Sequence, residues 1–240
     1  VSFDNGLTYV DVVGSSISVP AGTVDIKIQV ATVNDNLVEG DETITLTAKS
    51  EFETSGAGQT GTGTILDNDS ATLSVTPALN NVSVSEGSAA DFTVKLSNPS
   101  ATDTTVTLNL ITNGAAGNAS ATDVGGLQYK DGSGNWVNVP ANGQVTIAAG
   151  QTDVIVRVPT TQDGVYEGKE NFTLQATVNG ATVSGQGSII DDGTGTIPPG
   201  QPGTPDNDQP KVASVSSPSI AEGGELVFDV KLDHSSTTAT

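Results

Sequence analysis

The chain repeats itself, and that repetition limits its architecture more than any local pattern does. Residues Ile17 to Ala48, ISVPAGTVDIKIQVATVNDNLVEGDETITLTA, return at Val145 to Ala176 as VTIAAGQTDVIVRVPTTQDGVYEGKENFTLQA, a gapless offset of 128. Asp35, Glu39, Gly40, Glu42, Leu46 and Ala48 thereby become Asp163, Glu167, Gly168, Glu170, Leu174 and Ala176. After a shortening of four residues, GTGTILDND at Gly61 to Asp69 recurs as GQGSIIDDG at Gly185 to Gly193. A third beginning follows, because SVSEGSAADFTVKLSN from Ser83 is matched by SIAEGGELVFDVKLDH from Ser219. The expected layout is the C-terminal part of one repeat (1–69), a complete repeat (70–193), a Gly/Pro-rich linker (194–210) and the N-terminal part of a further repeat (211–240). A repeat of roughly 120 residues is long enough for a core of its own. With Val1 in place of an initiator Met and a third repeat only begun, the sequence reads as an excerpt from a longer protein.

Within the complete repeat the apolar period is two. Phe92, Val94 and Leu96 form one row, followed by Val106, Leu108 and Leu110, then Val154, Val156 and Val158, then Phe172 and Leu174. This alternation puts one row inward and the intervening polar side chains outward, as in half-buried strands. Turn chemistry separates the runs at Asn98-Pro99, Asn113-Gly114, Asp131-Gly132, Asn142-Gly143, Asp163-Gly164 and Asn179-Gly180. The expected fold is all-β: tandem immunoglobulin-like antiparallel β-sandwiches of around seven strands, one complete and two partial, with the strand order open. Phe92, Trp136 and Phe172 are expected to fill the core of the complete one.

Composition removes most functional classes. Eight Lys and Arg against 28 Asp and Glu leave a formal charge of −20, which repels nucleic acid and attracts cations. There is no Cys, and the single His, His234, lies close to the C-terminus, so thiolate chemistry, zinc-thiolate sites and imidazole triads are absent from the complete repeat. No apolar run approaches a membrane span. No enzymatic activity is expected, and acids such as Glu167 and Glu170 on a single turn make a poor glycosidase pair.

The acids fall in a pattern that survives duplication. Asp163, Glu167 and Glu170 precede a strand in the arrangement D-x-x-x-E-G-x-E, and Asp35, Glu39 and Glu42 repeat it. Closing strands run directly into acids, Asp67 and Asp69 in the first repeat and Asp191 and Asp192 in the second. Glu86-Gly87 and Glu222-Gly223 open the next ones. In a sandwich these turns and strand ends are able to share one pole. Two carboxylates about 5 Å apart repel by roughly 3 kcal/mol at an effective dielectric near 20, so such a pole needs a cation or protons. All-oxygen donors on loops suit the six to eight ligands of Ca²⁺ better than the stricter octahedron of Mg²⁺.

The order S-E-G, then D-x-x-x-E-G-x-E-x-F-T-L, then a closing I-I-D-D resembles the Calx-β repeat. The complete unit, with LQYKDGSGNWVNVPANGQVTIAAGQT ahead of its acidic turn, is similar to the extender repeats of giant type I-secreted bacterial surface adhesins. The resemblance implies calcium held at one end of the sandwich by the opening Glu, a mid-domain Asp, the acidic turn and the terminal aspartates. In the complete repeat these are Glu86, Asp123, Asp163, Glu167, Glu170, Asp191 and Asp192, with Gly193 where a third terminal acid would stand. The first repeat contributes Asp35, Glu39, Glu42, Asp67 and Asp69, and the last contributes Glu222. Asp206 and Asp208 are available to cap the third repeat.

The function expected from this reading is that of a calcium-stiffened extender at the bacterial cell surface or in a biofilm. Its partners would be calcium ions and neighbouring repeats. The competing expectation is a glycan- or protein-binding sandwich, for which Trp136 and Tyr166 are the candidate contact residues.

Overall fold

The computed structural model describes residues 1–53, 55–76, 82–191 and 208–238. They fall into two units: Val1–Asn36 with Asp41–Asp67, and Leu37–Gly40 with Asn68–Thr240. Every regular element among the described residues is a strand, and no helix there is long and apolar enough to cross a membrane.

In the first unit, β1 (Glu42–Ala48) and β2 (Gln59–Ile65) form an antiparallel hairpin, and one isolated bridge joins Ser2 to Lys27. Every residue of β1 is exposed, including Ile44 and Leu46. The strand-like residues 25–31, which correspond to 153–159 of the complete repeat, form no ladder here. In the complete repeat that stretch pairs along its length with residues 89–95, to which no residue of the first repeat corresponds. On its other side Val156 and Arg157 pair with residues 128–129, where the Ser2–Lys27 bridge is the counterpart at the same offset of 128.

The second unit contains the sandwich. One sheet has the order β3-β5-β10-β7-β8, with β3 at Leu73–Thr76, β5 at Ala89–Leu96, β7 at Gln128–Lys130, β8 at Trp136–Asn138 and β10 at Asp153–Pro159. The other has the order β4-β13-β12-β6-β9, with β4 at Val82–Ser85, β6 at Thr104–Ile111, β9 at Gln144–Ile147, β12 at Lys169–Val178 and β13 at Ala181–Ile190. The immunoglobulin-like all-β expectation is met, with ten strands where around seven were expected. The additional strands are short: the β7–β8 hairpin around Asp131, and a first strand divided between the sheets as β3 and β4. β4 runs parallel to β13, pairing Val82 with Gly187 and Ser85 with Ile190.

The alternating rows meet between the sheets. Val94, Val106, Val156, Val158 and Leu174 are fully buried, with Phe92 and Phe172 almost so. The rings of Phe92 and Phe172, one from each sheet, stand edge to face at 6.1 Å and 73°. Such a pair contributes about 0.5–1.5 kcal/mol beyond its buried area. Phe172 lies across Gly187, its partner on β13, where a Cβ would fall 2.2 Å from the ring. The β12–β13 turn is Asn179-Gly180, with φ of 49° and 83°, the left-handed pair that a two-residue hairpin requires.

Trp136 departs from expectation. It is half-buried on the edge strand β8, outside the core, with the Arg157 guanidinium 3.8 Å from its ring centroid and Lys130 Nζ at 5.6 Å. Arg157 also forms a fork with both carboxylate oxygens of Asp91, at 2.7 and 2.9 Å. An edge position with two cations at hand favours stacking over burial.

Four short strands complete the second unit: β11 (Val165–Tyr166), β14 (Val212–Val215), β15 (Val230–Leu232) and β16 (Ser235–Ser236). β14 pairs with β15 so that Val215 faces Val230, the register in which Val75 faces Val94 between β3 and β5.

Candidate metal centre

Strand registers decide where the acids go. Ile190 ending β13 pairs with Ser85 ending β4 on one side and with Lys169 starting β12 on the other, and Pro159 ending β10 pairs with Ala89 starting β5. The turns carrying Glu86, Asp163, Glu167 and Asp191 therefore open at one end of the sandwich. Gly87 and Gly168, which follow Glu86 and Glu167, have φ of 73° and 78°, a backbone state that a residue with a Cβ resists. The two E-G motifs are thus built for turning the chain immediately after a carboxylate.

Asp123 arrives by a different route. The bridge between Val124 and Thr160, with the Thr161 N–H donating to Asp123 O at 2.9 Å, ties the loop after β6 to the loop after β10. A second bridge, Asn118 to Asn171, fixes the same loop to β12.

Among the described residues, three groups of acids place carboxylate oxygens within 4.8 Å of one another: Glu86, Asp163 and Glu167; Glu86, Asp191 and Asp208; and Asp123, Glu167 and Glu170. The groups share Glu86 and Glu167, so seven acids form one continuous cluster. Glu86, Asp123, Asp191 and Asp208 are at most 5% exposed. Backbone donors serve part of it: the N–H of Glu167 donates to Asp191, and that of Ser120 donates to Asp123. Gln162 Nε2 donates to Glu86 Oε2 at 3.3 Å.

The electrostatics follow from the crowding. Burial pushes the Glu170 carboxyl up to about 8, and so do its hydrogen bond with Asp123 and the negative charges of Asp123, Glu167 and Asp191. Glu167 is also raised, by burial and by the charges of Asp123, Asp163 and Asp208. Burial works on Asp123 in the same direction, but donation from the Ser120 backbone and from Glu170, Ser120 and Thr122 side chains outweighs it and holds this carboxyl low. No lysine or arginine is among the groups that shift Glu167 or Glu170. The donor set, seven carboxylates with no nitrogen or sulfur, fits a hard divalent cation with many oxygen ligands.

Six of the acids implied by resemblance for the complete repeat are thus together: Glu86, Asp123, Asp163, Glu167, Glu170 and Asp191. The seventh, Asp192, lies outside the described residues. Asp35, Glu39, Glu42, Asp67, Asp69 and Glu222 are in none of the three groups, and Asp35, Glu39, Glu42 and Glu222 are exposed. Gly40 does not adopt the left-handed turn of its counterpart Gly168, whereas Gly223 does, at φ 89°. Sequence reasoning assigned Asp208 to the third repeat, and the structure places it beside Glu86 and Asp191 of the complete one. The available signal was Asp206-Asn207-Asp208, a copy of Asp67-Asn68-Asp69.

Among solved structures, the Calx CBD1 domain in its apo form is 16% identical, with 50% of this chain and 96% of that chain covered and a TM-score of 0.36. CBD12 from CALX1.2 is 17% identical over 50% of this chain and 45% of that chain, with a TM-score of 0.37. The calcium binding domain CBD12 of CALX1.1 is 16% identical over 50% and 44%, also at 0.37. No curated protein matches the chain. Its sequence matches the Calx-beta domain over residues 4–71 and again over 66–185, and the chain belongs to the Calx-beta domain family.

Proposed function

We propose that the chain binds calcium at the acidic end of its central sandwich and serves as an extender segment of a bacterial cell-surface adhesin, outside the cell. The observation that carries the calcium reading is the cluster of seven carboxylates, one of them pushed up to about 8 by burial, by its hydrogen bond with Asp123 and by the negative charges around it. A bound Ca²⁺ supplies the positive charge that offsets this repulsion. The chain's own part is to present oxygens from the β4–β5 turn, the loop after β6, the β10–β12 turn and the end of β13, so that loading ties these turns together. Tandem repetition, the absence of cysteine and the net charge of −20 support the extender reading, because each repeat adds length and each acidic end adds a stiffening point. Extracellular modules of this kind work at dissociation constants of roughly 10⁻⁴ to 10⁻³ M. The alternative of a glycan-binding face is weakened by Trp136, whose ring is occupied by Arg157.

Calorimetric titration of the chelator-stripped chain with Ca²⁺ tests this reading. Saturable binding is expected, weakened at least about tenfold in a Glu167→Gln/Glu170→Gln variant. Scattering profiles are expected to stiffen on loading. No binding heat and an unchanged melting temperature in millimolar calcium would overturn the proposal.

A further inference from the structure

We infer that Asp208 supplies the carboxylate that the central repeat lacks at Gly193, so that calcium holds the beginning of the next repeat to the acidic end of the central domain. The inference rests on the calcium reading above and adds to it a ligand and a consequence for the following repeat. In the first repeat the closing strand runs into Asp67-Asn68-Asp69. The aligned residues of the central repeat are Asp191, Asp192 and Gly193, so the acid at the third position is missing. The tripeptide reappears as Asp206-Asn207-Asp208, and Asp208, seventeen positions after Asp191, has its carboxylate within 4.8 Å of those of Asp191 and Glu86. It is 3% exposed, as deeply placed as Asp191 itself.

A second attachment comes from farther along the chain. β16 pairs in parallel with β11, Val165 beside Ser235 and Tyr166 beside Ser236, and the Thr237 N–H donates to Tyr166 O at 3.0 Å. β11 lies inside the acidic turn, between Asp163 and Glu167, so both points of attachment are at the same end of the sandwich. A two-residue parallel ladder is weak by itself. A multidentate ion sharing ligands from Glu86, Asp191 and Asp208 would make the attachment conditional on calcium.

The test uses the full chain, whose lack of cysteine allows a nitroxide pair at Ser133→Cys and Ser217→Cys without further changes. Calcium affinity is read by calorimetry and the inter-label distances by pulsed electron spin resonance. With Ca²⁺, a narrow distance distribution is expected, and chelator should broaden it. Asp208→Asn should weaken binding at least tenfold and leave the distribution broad in millimolar calcium. Asp229→Asn, the same charge change on an exposed residue of the third repeat, should do neither. Adding Gly193→Asp to Asp208→Asn should restore affinity but not the narrow distances, and recovery of both would remove the holding role from Asp208. If Asp208→Asn binds calcium and gives distances as the parent does, this inference fails while the calcium reading stands. If the parent binds no calcium, the calcium reading fails and this inference with it.

Discussion

The hairpins β1–β2 and β12–β13 are the same piece of chain in two settings. Glu42 faces Ile65 and Ala48 faces Gln59 in the first; Glu170 faces Ile189 and Ala176 faces Val183 in the second. With the offsets of 128 and 124 that align the repeats, these are the same pairs. Yet Ile44 and Leu46 are 38% and 47% exposed where their counterparts Phe172 and Leu174 are 2% and 0%. Register is therefore local, written into the hairpin by its own alternation. Burial is not, because it depends on a second sheet, which the central repeat builds from β3, β5, β7, β8 and β10.

The widest gap between the two copies is expected from removing the central apolar side chain. Phe172→Ala should cost about 3–5 kcal/mol, and Ile44→Ala under about 1, in urea unfolding of the full chain followed by probes in each unit. Equal costs would mean that β1 is covered in solution. The facing glycine gives the next contrast. A Cβ at Gly187 meets the Phe172 ring, whereas one at Gly63 comes no nearer than 3.4 Å to Ile44. Gly187→Ala should destabilise by about 1–3 kcal/mol and Gly63→Ala by under about 0.5, measured by thermal melting.

A smaller effect is expected from pH, in the metal-free protein. Glu170 is raised in the folded chain from the ordinary 4.5 to about 8. Below about 4.5 both folded and unfolded chains hold its proton, and the stability this confers is fully present. It is lost as pH rises through 8, because only the folded form then has to release a proton against its surroundings. The melting temperature should fall between pH 5 and pH 9, and Glu170→Gln should flatten the fall. The exposed counterpart change, Glu42→Gln, should leave the profile as it is. The smallest effect concerns the connections. Ten residues separate Ala48 from Gln59 and six separate Ala176 from Val183. Grafting the shorter connection, with Asn179-Gly180, onto β1–β2 should slow its amide exchange slightly, by no more than about 0.6 kcal/mol of closure free energy.

Much of this was readable before any coordinates. The period-two rows named Phe92, Val94, Val156 and Leu174 as inward-facing, and Asn179-Gly180 named its turn, because both signals act between neighbouring residues. The acidic turn was visible because duplication preserved Asp163, Glu167 and Glu170 together. The division of the first strand between sheets was not visible, since β3 and β4 alternate alike and nothing local says which sheet each joins. Trp136 was misplaced because its partner Arg157 lies on a strand that only the sheet order brings near. Asp208 stands in sequence just ahead of the third repeat, and no periodic pattern in the sequence links it to Asp191, seventeen positions earlier.

The parallel alignment of β4 with β13 has a mechanical meaning. The strand near the start of the sandwich and the strand that ends it lie side by side and point the same way, across Val82–Ser85 and Gly187–Ile190. A tether pulled from both sides drags them in opposite senses along their shared axis. The bonds between them then bear force all at once, in shear, and cannot be unzipped singly.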